Sequence, residues 1–169
     1  MKYARLVILG EDGENPPSEM PPYFMLTKER TTIGRSRSAD MTMDSEAYPC
    51  TLSRTHAVIW REEINITETL VDYKWHVSDC HSVNGTFIDC VKVSDSEIHD
   101  GETLTLGGGA GLQPGERSDL LASDLVFRFE LVDESRAVSF GVNADALNED
   151  VAAGAVVATD ACTSQRQKE

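Results

Sequence analysis

The sequence predicts an all-β protein. Short runs rich in branched and aromatic residues recur along the chain, and turn residues separate them, which is typical of strands. Residues 126–131 alternate apolar and polar side chains, as a strand with one solvated face requires. No comparable long helical pattern is present. Many short strands without long helices indicate a sandwich or a barrel.

The predicted strands begin with residues 3–9, an apolar run that ends at Gly10, and the proline-containing stretch 11–22 is predicted to be a loop. The other predicted strands are residues 23–27, 31–33, 41–43, 56–60, 75–77, 85–88, 91–93, 102–106 and 125–132. Residues 64–73 and the glycine-rich residues 107–123 interrupt this spacing and are predicted to be surface insertions. The glycine-rich segment contains neither G-K-[ST] nor G-x-G-x-x-G, so no nucleotide-binding loop is expected.

A change of composition near residue 133 marks a predicted boundary. Residues 1–133 contain all the predicted strands and are expected to form one domain. Residues 134–169 are rich in small and polar residues, and we expect them to be a flexible, largely disordered acidic and Ala-rich tail.

The charge of the 169-residue chain argues against one class of function and suggests another. The formal net charge is −14, and nucleic-acid binding, which depends on clustered Lys and Arg, is therefore not expected. Residues 28–63 carry six basic and six acidic side chains, so they form a neutral region within an acidic chain. Such a background suits a protein that repels bulk polyanions and accepts one phosphate at a defined point.

No apolar run reaches the roughly 18 residues of a membrane-spanning helix, and the first run is too short for a signal peptide. We therefore expect an intracellular protein, in the nucleus or the cytoplasm, without membrane contact. Cys50, Cys80, Cys90 and Cys162 form no C-x-x-C pair, so reduced thiols are expected.

Three short polar clusters lie where loops should connect the predicted strands. The first, GRSRSAD at residues 34–40, offers a glycine that permits a sharp turn and a fork-shaped guanidinium donor suited to phosphate. The second, SRTH at residues 53–56, places a hydroxyl, a guanidinium and an imidazole close together. The third, DCHSVNGT at residues 79–86, contains an Asn-Gly turn signal, and its Asn side chain can both donate and accept hydrogen bonds.

In this order, G-R, S-R-x-H and D-x-x-S-x-N-G-T resemble the signature of the forkhead-associated (FHA) domain family. The resemblance covers roughly residues 3–132 and includes Asp40, Trp75, Gly101 and Gly107. It implies a two-sheet antiparallel β-sandwich of about eleven strands, with the binding loops at one end and both termini at the other. It also implies a module, not an enzyme, that binds phosphothreonine-containing segments of partner proteins.

The resemblance implies that Arg35, Ser53 and Arg54 contact the phosphate and that Asn84 contacts the peptide backbone. Guanidinium and hydroxyl donors match the charge and the acceptor oxygens of phosphothreonine. Structural support of the site is implied for four further residues, which are Gly34, His56, Gly85 and Thr86.

The sequence departs from the family pattern at Val83, where many members have a Ser or Thr that donates a hydrogen bond to the phosphate. Ser36 and Arg37 are the candidates for the missing donor. Val83 also favours an alternative, in which the sandwich binds its partner through a sheet face or through residues 64–73 independently of phosphorylation.

Enzymatic and metal-binding functions are not predicted. Ser53 and His56 are accompanied by no orienting acid or oxyanion motif. Cys80, His81 and Cys90 match no standard zinc spacing. We expect no cofactor and no metal, and a monomeric chain.

Overall fold

The computed structural model describes residues 2–9, 23–45, 47–65, 67 and 71–133. These residues form eleven strands and no helix, which confirms the predicted all-β sandwich. The strands are β1 (Lys2–Ile8), β2 (Tyr23–Leu26), β3 (Arg30–Gly34), β4 (Met41–Thr42), β5 (Ala57–Asn65), β6 (Val71–Asp79), β7 (Thr86–Ile88), β8 (Val91–Val93), β9 (Asp95–Ile98), β10 (Thr103–Leu106) and β11 (Val126–Asp133). No helix in this part of the chain is long and apolar enough to cross a membrane. The predicted loop 11–22 and the predicted tail 134–169 lie outside the described residues.

The strands are arranged in a six-stranded sheet, in the order β2-β1-β11-β10-β7-β8, and a five-stranded sheet, in the order β4-β3-β5-β6-β9. Neighbouring strands are antiparallel, as predicted, with one exception. β3 and β4 pair in parallel through Ile33 and Met41. Residues 35–40 form the short loop that returns the chain from the end of β3 to the start of the parallel strand β4. Thr42 Oγ1 donates to the Ser36 carbonyl across that loop, at 3.0 Å.

The core lies between the two sheets because alternate side chains of each strand point inward. Ile33, Ile59 and Trp75 of the five-stranded sheet belong to the same buried cluster as Leu104 and Phe129 of the other sheet. Ile33 and Ala57 are completely buried and are Cα partners. The loop that follows β3 and the loop that precedes β5 are therefore attached to strand ends that the core holds in place.

All ten predicted strands are confirmed, but one strand was missed and one prediction about the chain between the strands is wrong. β9 was not predicted as a strand. Residues 64, 65 and 71–73, which we predicted to belong to an insertion, are part of two strands, because β5 continues to Asn65 and pairs there with Val71 of β6. Charged residues such as Glu62 and Lys74 hide the strand pattern in this hairpin.

The glycine-rich segment 107–123 is closely attached to the sandwich. Gly109 packs against the ring of Phe87, which is fully buried. Arg117 forms an isolated bridge with Val91 on the edge strand β8. The segment is therefore an insertion, as predicted, but it covers part of one sheet.

Candidate functional site

The three polar clusters meet at one end of the sandwich. Ile33 is paired with Ala57, and Ala57 is paired with Asp79, so the loops beside these residues lie at the same sheet end. Lys2 and Asp133 are paired at the opposite end. The loops enclose an open cleft of about 690 Å³. Its lining residues are Arg35, Ser36, Ser38, Cys50, Leu52, Ser53, Arg54, Thr55, His81, Val83 and Asn84.

Gly34 allows the first two loops to lie against each other. Arg35 N donates to the Ser53 carbonyl and Ser36 N to the Arg54 carbonyl, both at 3.1 Å. A Cβ on Gly34 would collide with the Arg54 carbonyl oxygen, which is backbone and cannot move aside easily. Gly34 lies within β3 and its φ is outside the left-handed region, so the glycine serves close approach and not the sharp turn that we predicted.

Asp40 fixes the far side of the first loop. Its carboxylate accepts hydrogen bonds from Thr32 N at 2.8 Å, from Thr32 Oγ1 at 2.7 Å and from Lys28 Nζ at 2.6 Å. Burial raises the pKa of Asp40, but these hydrogen bonds and the Lys28 charge outweigh it and lower the pKa to about 2. The loop is therefore held at both ends, and Arg35 leaves it with an exposed side chain.

His56 links the second loop to the third. Its completely buried ring accepts a hydrogen bond from Ser53 N at Nδ1, at 3.1 Å. Nε2 must then carry the hydrogen, and it donates to the Gly85 carbonyl at 2.9 Å. Burial lowers the pKa of His56 below its ordinary value, against the Gly85 hydrogen bond and the Asp79 charge. The ring is therefore a neutral brace.

Asp79 organises the third loop. Its carboxylate accepts hydrogen bonds from Ser82 N at 2.9 Å, Ser82 Oγ at 2.6 Å and Thr86 Oγ1 at 2.7 Å. Burial raises the pKa of Asp79, but these hydrogen bonds outweigh it and lower the pKa overall. Gly85 adopts φ +83°, which favours glycine, and its N–H donates to Ser82 Oγ at 3.0 Å. The loop is thus closed by its own polar side chains.

Four groups on this framework are suited to an anionic peptide. Arg35 and Arg54 are exposed in the cleft. Ser53 Oγ accepts from Val83 N at 3.2 Å, which leaves its hydroxyl hydrogen for a ligand. Asn84 Nδ2 donates to the Thr51 carbonyl at 2.8 Å, so its amide is held in place while it lines the cleft. Among the lining residues that the structure describes, two carry a guanidinium group and none carries a carboxylate.

The structure brings together six of the seven predicted ligand-binding residues, which are Arg35, Ser36, Ser53, Arg54, Val83 and Asn84. Arg37 is exposed but does not line the cleft, so it is a poor candidate for the missing donor. Ser36 Oγ is hydrogen-bonded to Ser38 Oγ at 2.8 Å. Val83 is 75% exposed at the cleft. The four supporting residues, Gly34, His56, Gly85 and Thr86, lie behind the lining.

Five lining residues were not predicted, and they are Ser38, Cys50, Leu52, Thr55 and His81. Ser38, Thr55 and His81 lie inside the three polar clusters, so only their position in the sequence could have indicated them. Cys50 and His81 have left-handed φ values of 64° and 56°, which no sequence feature indicated.

Fold and site define the class of protein as a β-sandwich that presents a cationic, loop-built cleft at one end. Residues 31–107 match the family model described as FHA domain, which confirms the resemblance to the forkhead-associated family. No curated protein matches the chain in sequence.

Solved structures with a similar fold include the yeast Pml1 splicing factor, with 22% identity and a TM-score of 0.54 over 79% of this chain and 82% of that chain. The yeast Dun1 FHA domain in complex with a doubly phosphorylated (pT) peptide has 20% identity and a TM-score of 0.51 over 98% of this chain and 89% of that one. The Slr1951 protein from Synechocystis sp. has 22% identity and a TM-score of 0.50 over 79% and 100%. At these identities the similarity supports the fold.

Proposed function

We propose that the chain is a phosphothreonine-dependent protein-protein interaction module that binds phosphorylated segments of partner proteins through the cleft. One observation carries this proposal. Arg35, Arg54 and Ser53 line one cleft in which none of the described lining residues has a carboxylate, although the chain has a net charge of −14. A site of this composition within an acidic protein is suited to a single, well-placed anion.

The chemistry of the cleft agrees with a phosphorylated side chain as the ligand. A phosphate ester carries up to two negative charges and three strong acceptor oxygens at neutral pH. Two guanidinium groups and the Ser53 hydroxyl supply matching donors. The Asn84 amide, held by the Thr51 carbonyl, supplies polar groups that can pair with the peptide backbone. The peptide complex of the Dun1 FHA domain supports the same class of ligand.

Paired arginine variants test the proposal. The probe is the best peptide from an oriented phosphothreonine library, titrated by calorimetry. Arg35→Ala should cost about 1.5 to 3 kcal/mol of binding free energy, or roughly a ten- to hundredfold loss of affinity. Arg37→Ala is the matched control, since Arg37 lies on the same loop outside the lining, and its affinity should stay within about twofold. Equal affinities of the two variants would refute the proposed phosphate site.

A second candidate function is phosphorylation-independent binding through a sheet face. Two observations favour it: Val83 cannot donate to a phosphate, and Trp60 lies on the outer face of the five-stranded sheet. Trp60 stacks on His76 at 4.2 Å, with the Arg30 guanidinium 5.9 Å from its ring centre. Trp and Arg are common among the residues that dominate interface energies. Trp60→Ala should leave phosphopeptide affinity unchanged under the first proposal and abolish partner binding under the second.

A further inference from the structure

The glycine-rich segment 107–123 is connected to the backbone of the third loop at two consecutive residues. Gly109 N donates to the Asn84 carbonyl at 2.9 Å, and Gly107 N donates to the Gly85 carbonyl at 2.8 Å. The Gly85 carbonyl is the one that also receives the hydrogen bond from His56 Nε2. The backbone that directly follows the Asn84 side chain is therefore tied to this segment.

Close packing strengthens the connection. A Cβ on Gly107 would collide with the side chain of Thr51, whose carbonyl holds the Asn84 amide at 2.8 Å. A Cβ on Gly109 would collide with the ring of Phe87, which also lies beside Gly85. Glycine at these two positions thus lets the segment reach Asn84 from the side of its backbone and from the side of its amide.

Lys92 of β8 fastens the segment to the sandwich. Its Nζ donates to the Leu112 carbonyl at 2.6 Å, its N donates to the Glu116 carbonyl at 2.9 Å, and its carbonyl accepts from Gly115 N at 2.8 Å. The stem of Lys92 lies against Gly85. One residue therefore contacts the far part of the segment and the residue that follows Asn84.

We propose that the segment 107–123 positions Asn84 and thereby sets the affinity of the cleft for the peptide backbone, without contacting the peptide. None of its residues lines the cleft. Lys92 and Gly109 are the main positioning residues. The phosphate donors Arg35 and Ser53 are held by different direct contacts: Arg35 N donates to the Ser53 carbonyl, and Ser53 N donates to His56 Nδ1. This inference rests on the proposed function, since it assigns residues that position a part of the same binding site.

The test is Lys92→Met, which removes the bond to Leu112 and keeps an apolar stem beside Gly85. Lys74→Met is the matched control, because it removes one exposed cation from β6 with no contact to the segment. Each variant is titrated with the library-selected phosphopeptide and with free phosphothreonine. Lys92→Met should lower peptide affinity by about three- to tenfold and leave phosphothreonine affinity within about twofold. Equal proportional losses for both ligands, or no loss for either, would overturn the inference.

A ligand-free measurement separates this inference from the proposed function. In NMR spectra of the free chain, Lys92→Met and Gly109→Ala should shift the side-chain amide resonances of Asn84, and Lys74→Met should not. Unshifted Asn84 resonances would overturn the positioning role even if the wild-type chain binds phosphopeptides. Shifted resonances in a chain that binds no phosphopeptide would uphold the role and refute the proposed function.

Discussion

Replacing His56 by Phe should destabilise the binding end of the sandwich, because the ring braces two loops from a fully buried position. Ser53 N would lose its acceptor, and a buried donor without a partner costs about 1 to 3 kcal/mol. The Gly85 carbonyl would lose one donor and keep Gly107 N, at a cost of about 0.5 to 1.5 kcal/mol. Together, the free energy of unfolding should fall by about 1.5 to 4.5 kcal/mol.

The same ring gives the wild-type chain a pH dependence of known sign. The pKa of His56 is lowered in the folded state, so the unfolded chain binds more protons as the pH falls below the ordinary value of 6.5. Stability is therefore complete above that pH and is lost toward the folded pKa, by at most about 1.4 kcal/mol per pH unit. Asp79 and Glu130, whose pKa values are also lowered, lose their contributions at lower pH, below the ordinary range of carboxyl groups.

Urea unfolding at about pH 7.5 and about pH 5.5 measures both effects. At the higher pH, the His56→Phe chain should be less stable than the wild-type chain. Its free energy of unfolding should also lack the part of the pH dependence that comes from His56. His99→Phe replaces an exposed ring and should change stability by no more than about 1 kcal/mol. A His56→Phe chain with wild-type stability, or with the full wild-type pH slope, would refute the bracing role.

Gly34→Ala should lower the free energy of unfolding by about 1 to 3 kcal/mol, because the new methyl group meets the Arg54 carbonyl, and an unchanged melting temperature would contradict the close approach. Asn84→Ala should weaken all phosphopeptides by a similar factor in calorimetry, since the amide pairs with the backbone, and a changed sequence preference would assign Asn84 to side-chain selection instead. A phosphothreonine peptide should bind more than about tenfold tighter than its phosphoserine twin. The methyl group, buried between the loops that bear Ser53 and Asn84, gives about 0.8 kcal/mol or roughly fourfold, and the stiffer threonine torsion supplies the rest. Equal affinities of the phosphothreonine and phosphoserine peptides would contradict a contact between the methyl group and the cleft.

Most of the fold could be predicted because ten strands carry apolar side chains in a recognisable pattern. β9 has only Ile98 buried, and its other residues are polar, so its strand conformation comes from pairing with the edge of β6. The end of the β5–β6 hairpin also depends on pairing across the two strands, as between Ile64 and Asp72, and not on an apolar pattern within either strand. No local sequence pattern contains that information.

The candidate site could be predicted where its residues lie next to a predicted strand, as Arg35 does directly after β3 and Ser53 does shortly before β5. Leu52 reaches the cleft next to Thr51, which is held by the Asn84 amide and packs against Gly107. These contacts are distant in sequence and become visible only in the folded chain.

Two peptides that are identical except for one phosphate on threonine provide the most direct test of the central claim. They are titrated against the wild-type chain at about pH 7.5, where the phosphate carries close to two negative charges. The phosphorylated peptide should bind more than about tenfold tighter, because Arg35, Arg54 and Ser53 supply charge-assisted hydrogen bonds only to it. A difference of about twofold or less would contradict phosphate recognition by this cleft and favour the sheet face as the binding surface.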